Sequence, residues 1–386
     1  MSLAVSVVEG VTEVPAGEWD ALVDPNDPFL EHAFLAALER SRSVGARAGW
    51  QPRFVLAREG PALVGAVPLY LKANSYGEFI FDWSWANAAL RSGLPYYPKL
   101  VAAVPFTPVT GSRLLVRPGV ARQPVLAALI AGMREVADDE HASSIHVLFC
   151  PEDEAGALAG ADFRHRLSMQ FHWVNRAEPY RDFDDFLGAF RSRNRKQVRK
   201  ERATAAGHGL RLATLEGAAL GPAEWTALER FYDSNTDKHG SPAYLTPEFF
   251  ALLRTELAHR VVATFAYRGD VPVAGTLNFE RGQHLYGRYW GCLEERDMLH
   301  FELCYYRLIE RAIEKGHRRF EAGAQGEHKL KRGLDPALTH SAHWIRDPDF
   351  GQAVRRFIAE EAQMVRREVA EYQALSPYRR AGELAE

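Results

Sequence analysis

Six functional side chains (Gln325, Glu327, His328, Lys329, Lys331 and Arg332) and three glycines (Gly323, Gly326 and Gly333) fall within residues 323–333. They follow Arg318–Glu321, a short run that reads as a buried strand. The carboxyl end of a strand in an open α/β sheet is where ligands usually bind. Glycine there permits positive φ or close approach of backbone to a ligand. A turn that only exposed charge to water would not need this many functional groups and glycines together. The cluster is therefore read as a ligand site, with a solvated loop as the alternative.

Two further segments carry groups of the right type. Residues 191–202 hold seven basic residues and one acid, net +6, in a chain whose formal charge is −3. Helical spacing spreads that charge around the circumference, so part of it must face water. The remainder, with Arg193, Asn194, Arg195 and Lys196 at its centre, can grip an anion through guanidinium forks. No aromatic residue interrupts the run, so base stacking finds no support in it. Residues 231–244 bring Asn235, Asp237, Lys238, His239 and Tyr244 past a helix end, as substrate contacts or as caps and turn residues. The aromatic runs Phe81–Asn87 and Pro95–Pro98 read either as cleft lining or as core.

Composition narrows the classes. With 47% hydrophobic and 25% charged residues over 386 positions, the chain is an ordinary globular protein of two or three domains. Its apolar runs are far shorter than the roughly 20 residues of a bilayer span. Three cysteines (Cys150, Cys292, Cys304) form neither a CxxC pair nor an even framework, which predicts a reducing, cytoplasmic setting. The first eight residues lack a basic stretch followed by a long apolar one, so no export signal is expected. Fourteen histidines invite a metal reading, but no HExxH or Cys/His cluster occurs, and His340 and His343 fall on opposite faces of a strand. Neither a phosphate-loop motif, a dinucleotide fingerprint nor a Gly-x-Ser-x-Gly elbow is present.

The elements that must position these groups appear twice. Residues 27–42 read as a helix capped by Asp27 with Pro28 at its first position. Arg53–Ala57 and Leu63–Tyr70 form a hairpin around Gly60, Phe79–Trp83 is a third strand, Gln123–Asp138 an amphipathic helix and Ile145–Phe149 a closing strand. The same order recurs as Val261–Tyr267, Val271–Phe279, Leu285–Trp290, the helix Leu299–Lys315 and the strand Arg318–Glu321. Two diverged copies of a strand–strand–strand–helix–strand unit account for both. Between them, helices over Arg191–Arg202, Pro222–Asn235 and from Thr246-Pro247 are expected, with a strand at Leu210–Leu215. After the second copy come a strand at Thr339–Ile345 and a long helix over residues 350–373.

Three stretches, Tyr96–Gly111, Arg193–Arg202 and Phe320–Lys329 with its continuation through Thr339–Trp344, resemble a bacterial family of Fem-like, GNAT-type acyltransferases associated with peptidoglycan biosynthesis and recognition. The resemblance spans most of the chain. It implies an α/β (α+β) protein of two tandem GNAT-like domains, each a mixed central sheet flanked by helices, divided as 1–178 and 179–386. It further implies transfer of an acyl or aminoacyl group from an activated donor, aminoacyl-tRNA or acyl-CoA, to a small-molecule or cell-wall-precursor amine, with no tightly bound cofactor. Fem transferases carry the pattern apolar–Lys–x–Gly–apolar, which Leu330-Lys331-Arg332-Gly333-Leu334 fits, so their lysine maps to Lys331. On that mapping Lys331 stabilises the tetrahedral oxyanion, Arg332 and Lys329 meet the donor phosphate, and Glu327 or His328 accepts the amine proton. The phosphate-binding motif of CoA-dependent GNAT enzymes has no counterpart in the glycine-free stretch Glu295–Phe301, which weakens acyl-CoA as donor. A CoA-dependent N-acetyltransferase and a catalytically degenerate GNAT-fold binding module are the rival expectations.

Overall fold

The computed structural model describes residues 3–239, 243–324 and 326–379, with side chains at 237–239 outside the description. Its contacts divide the chain into two compact units, one of residues 1–169, 244–249 and 338–367, the other of 170–243, 250–337 and 368–386. The division is not the single cut expected between 178 and 179. The late strand Asp335–Ile345 explains the interleaving, because Ser341 and His343 pair antiparallel with Leu148 and His146 of Ser144–Cys150. That pairing joins residues far apart in sequence, which no local pattern records.

The first unit holds two sheets. Phe54–Glu59 and Ala62–Val67 form the expected hairpin, turning at Gly60 (φ 56°), and are flanked by Leu3–Val8 and Leu115–Val116. The predicted strand Leu63–Tyr70 breaks at Pro68, which has no N–H for a ladder. Leu69–Lys72 therefore joins a different sheet, with Gln51–Pro52, Lys99–Ala102 and Ser144–Cys150. Helix Arg122–Asp139 buries Val125, Leu126, Leu129, Ile130, Met133 and Val136, the face its periodicity predicts. Gly132 lets it approach the hairpin: a Cβ there would lie 2.7 Å from Val55 Cγ1 and 2.8 Å from Val5 Cγ1. Each fully buried Leu or Val in this core contributes about 1.5–3 kcal/mol.

Two expectations fail here for local reasons. Asp27 does not cap a helix; its carboxylate accepts the N–H groups of Phe29 and Leu30 at 2.8 and 3.2 Å, closing a turn, and the helix is His32–Arg40. Phe79–Trp83 is not a strand. Phe79 sits at φ 60°, and Trp83–Arg91 is a helix that buries Trp85 while Phe81 and Trp83 stay exposed.

The second unit is a mixed sheet in the order Arg211–Glu216, Val261–Arg268, Val271–Arg281, His284–Cys292, Arg319–Glu321 and the 170–174 end of Arg164–Val174. All neighbours are antiparallel except His284–Cys292 and Arg319–Glu321. Gly269 (φ 59°) turns the hairpin as expected. Helix Pro222–His239 lies on this sheet so closely that a Cβ on Gly291 would be 2.0 Å from the Phe231 carbonyl oxygen. The predicted helix Leu299–Lys315 is realised as Leu299–Phe301, a π-helical turn Glu302–Tyr306 and Arg307–Glu314, stopped by left-handed Gly316. Helix Pro348–Ala374 matches the last expected helix and buries Val354 and Ile358 in the first unit beside Trp85 and Tyr96.

Candidate active site

Strand Arg319–Glu321 stops at the pair Tyr286–Glu321, whereas its parallel neighbour continues to Cys292. The neighbour also carries a bulge there, since Leu277 faces Tyr289 but Asn278 faces Gly287, leaving Arg288 as the extra residue. Bulges of this kind re-aim side chains and are common beside active sites. The two strands thus part where the glycine-rich segment begins. Gly323 (φ 84°) and Gly326 (φ 116°) adopt backbone conformations that strain other residues, and Gly333 (φ 87°) ends the segment with Phe186 and Phe190 rings 2.7 Å from where its Cβ would be.

Between these glycines, Glu327–Arg332 is a 3₁₀ helix. Three residues per turn place positions i and i+3 on one face. Lys329 and Arg332 accordingly point inward and are buried, while His328 and Lys331 lie outward and exposed, as does Glu327.

Lys329 is 2% exposed, and its Nζ donates to the Gly323 carbonyl at 2.7 Å. No carboxylate stands within ion-pair distance of it among the described residues. Burial lowers its pKa to about 8, partly offset by the Cys304 thiol. The group is thus a cation at neutral pH with ammonium hydrogens to spare. Arg332 is differently placed. Its Nε and Nη2 donate to Glu201 at 3.0 Å each, its Nη1 to the His328 carbonyl at 2.6 Å, and its guanidinium stacks 3.3 Å over the Phe301 ring. Every nitrogen already serves a protein acceptor, so Arg332 holds the segment together.

The π-helical turn packs against this segment, and such turns recur at functional sites. Tyr305 Oη lies 2.9 Å from His328 Nε2, and Tyr306 donates to Glu201 at 2.5 Å. Burial raises the Tyr305 phenol far above its ordinary range, so it keeps its proton and can accept from an Nε2–H. Desolvation, then Arg332 and Lys329, lowers the His328 pKa. The ring is therefore neutral at pH 7. Glu302, in the same turn, accepts two hydrogen bonds from Arg202 at 2.9 and 3.0 Å.

Helix Ser192–Ala206 carries the basic run. Arg193 and Lys196 are exposed, Asn194 is half-buried, and none of the three has a side-chain partner among the described residues. Arg195 donates to the Phe190 carbonyl at 3.3 Å. Glu201, the one acid of the run, was not singled out from sequence, yet its buried carboxylate receives Arg332, Tyr306 and Gln197. A lone carboxylate in so basic a helix was the available signal.

The remaining expected site residues separate. Tyr244 belongs to the first unit, where it stacks on Phe106 with centroids 4.7 Å apart. Glu327 is exposed next to Tyr372, whose phenol rises to about 12 through desolvation and then this carboxylate. Gln325 and the side chains of Asp237, Lys238 and His239 lie outside the described residues. No group of three or more His, Cys, Asp or Glu suited to a metal occurs among the described residues. No described helix is long and apolar enough to cross a membrane.

The FemAB-like family model, described as peptidoglycan biosynthesis/recognition, matches residues 10–380. No curated protein matches the sequence. Among solved structures, the crystal structure of FemX aligns with 92% of this chain and 100% of its own at 14% identity and a TM-score of 0.55, a likeness of fold. A tandem GNAT protein from the clavulanic acid biosynthesis pathway covers 90% of this chain and 99% of its own at 14% identity and a TM-score of 0.47. L-PGS from Bacillus licheniformis covers 87% and 98% at 12% identity and a TM-score of 0.49.

Proposed function

For a chain that belongs to the FemAB-like family of peptidoglycan biosynthesis and recognition, we propose a Fem-type acyl transfer centred on Lys329. An amine of a cell-wall precursor attacks the ester carbonyl of an aminoacyl-tRNA. The C–N bond forms, the carbonyl oxygen becomes an oxyanion, and the C–O bond to the ribose breaks. Ammonium hydrogens of Lys329 meet that oxyanion; in a buried setting a fixed cation is worth far more than in water. Lys331, on the outer face, is screened by water and is assigned instead, with Arg193 and Lys196, to the donor's phosphates. His328 is neutral; with its Nε2–H donated to the Tyr305 oxygen, its free Nδ1 takes the amine's proton, which then passes to the leaving hydroxyl.

The observation that supports this reading best is a buried lysine whose one described partner is a backbone carbonyl, in a loop shaped by three left-handed glycines. A lysine kept only for packing would be expected to pair with a carboxylate. The test is transfer from charged tRNA by Lys329→Met and Lys331→Met proteins of matched thermal stability. Loss confined to Lys329→Met supports the reading.

One feature favours a second donor. The parted ends of His284–Cys292 and Arg319–Glu321 offer strand edges with which the amide arm of an acyl-CoA can pair. Against it, the helix beginning at Leu299 follows a glycine-free stretch. Calorimetric titration with acetyl-CoA separates the two donors.

A further inference from the structure

A cavity of about 380 Å³ lies within the first unit, remote in kind from the chemistry above. It opens at the amino ends of the parallel strands Lys99–Ala102 and Ser144–Cys150, since Ser144 lines it. A seven-residue strand spans about 20 Å, so the cavity sits that far from the carboxyl edge where ligands of such sheets usually bind. Its volume is within the range of small-molecule sites. Most of its wall is apolar: Ala89, Leu94, Pro95, Ile345, Pro348 and Phe350.

The polar groups of the wall decide what can enter. Tyr96 Oη donates to Asp82 at 2.6 Å, Ser143 Oγ donates to the Tyr96 carbonyl, and Ser144 Oγ is 2.7 Å from His146 Nε2. Arg346 donates to the carbonyls of Ala137 and Ala142 and to Asp138 at 2.6–2.7 Å, while Asp347 accepts the Phe350 N–H at 2.8 Å. Behind Ser144, His146 and His343 share a 2.7 Å contact, and burial keeps both rings uncharged. An anionic ligand would meet the Asp347 carboxylate, while Arg346, the guanidinium of the wall, already serves Asp138 and two carbonyls. The exception is His141, exposed at the lining, whose ring has no partner among the described residues.

We propose that this cavity binds an uncharged amphiphile, its aliphatic body within the apolar wall and one hydroxyl or carbonyl held by His141. Titration calorimetry of the full chain with 1-octanol tests it, with octanoate as the charged counterpart. Saturable one-to-one binding of octanol, octanoate at least about tenfold weaker, and about a tenfold loss in Leu94→Trp are expected. His141→Ala, at an exposed position that does not threaten folding, is expected to weaken octanol severalfold. Sedimentation with phosphatidylcholine vesicles separates the sources: binding to vesicles that Leu94→Trp abolishes makes the ligand a lipid chain, and octanol binding without vesicle binding makes it a dissolved molecule. Absence of saturable octanol binding, equal affinity for octanoate, or a folded Leu94→Trp protein that binds as well as the parent overturns the proposal.

Discussion

Both oxygens of the Glu201 carboxylate face Arg332, receiving its Nε and Nη2 at 3.0 Å each, and Tyr306 and Gln197 donate to the same carboxylate at 2.5 and 2.9 Å. One buried anion therefore ties the basic helix, the π-helical turn and the cation-bearing 3₁₀ segment together. Removing one partner of such a pair strands the other charge away from water. Glu201→Gln is expected to lower unfolding free energy by about 3–5 kcal/mol. Urea denaturation measures it, and a loss below about 1 kcal/mol would show that Arg332 finds another way to be solvated.

The pH dependence of transfer follows from two groups with opposite requirements. His328 must be neutral to take a proton, and its pKa lies below the ordinary 6.5, so activity rises with pH through that acidic region. Lys329 must be charged, and activity falls as pH rises through about 8. The expected profile of single-turnover rates is a bell with its alkaline limb near that value. His328→Ala should flatten the acidic limb and leave the alkaline one in place; an alkaline limb near the usual lysine value of about 10.4 would contradict the role given to Lys329.

Arg193 and Lys196 project from the basic helix with no side-chain partner among the described residues, and a polyanion that meets them releases counterions. Neutralising both, as Arg193→Gln with Lys196→Gln, should reduce the slope of log affinity for tRNA against log salt by about 2 and weaken binding at low salt. Filter binding over a salt series reads this. An unchanged slope would remove the helix from the donor site.

At Gly291, the sheet of the second unit has no room for a methyl group, because the Phe231 carbonyl oxygen would be 2.0 Å from its Cβ. Gly291→Ala must push helix Pro222–His239 off the sheet. A loss of about 1–3 kcal/mol is expected by denaturation, with larger effects if the strand shifts as well.

Much of the scaffold was legible because it is written in short-range terms. The turns at Gly60 and Gly269, the apolar stripe of Arg122–Asp139 and the glycines of 323–333 all report on residues a few positions away. The pairing of Ser341 with Leu148 and the interleaved units depend on long-range register, which no window contains. Phe79–Trp83 misled because aromatic residues favour strands, whereas here Trp85 and Ala89 bury one face of a helix. Within the site, the segment and its residue types were evident, but inside and outside were not. The motif pointed to Lys331, and the three-residue period of the 3₁₀ turn buries Lys329 with Arg332 instead.

The account rests on Lys329 as the buried cation that meets the oxyanion, and single-turnover transfer from a panel of charged tRNAs by Lys329→Met and Lys331→Met tests it most directly. Loss of one oxyanion donor costs about 10²–10³ in rate. The expected result is a fall of that size for Lys329→Met with the fold intact, against a change of mainly donor affinity for Lys331→Met. Full turnover by a folded Lys329→Met protein, with the rate lost in Lys331→Met, would contradict it.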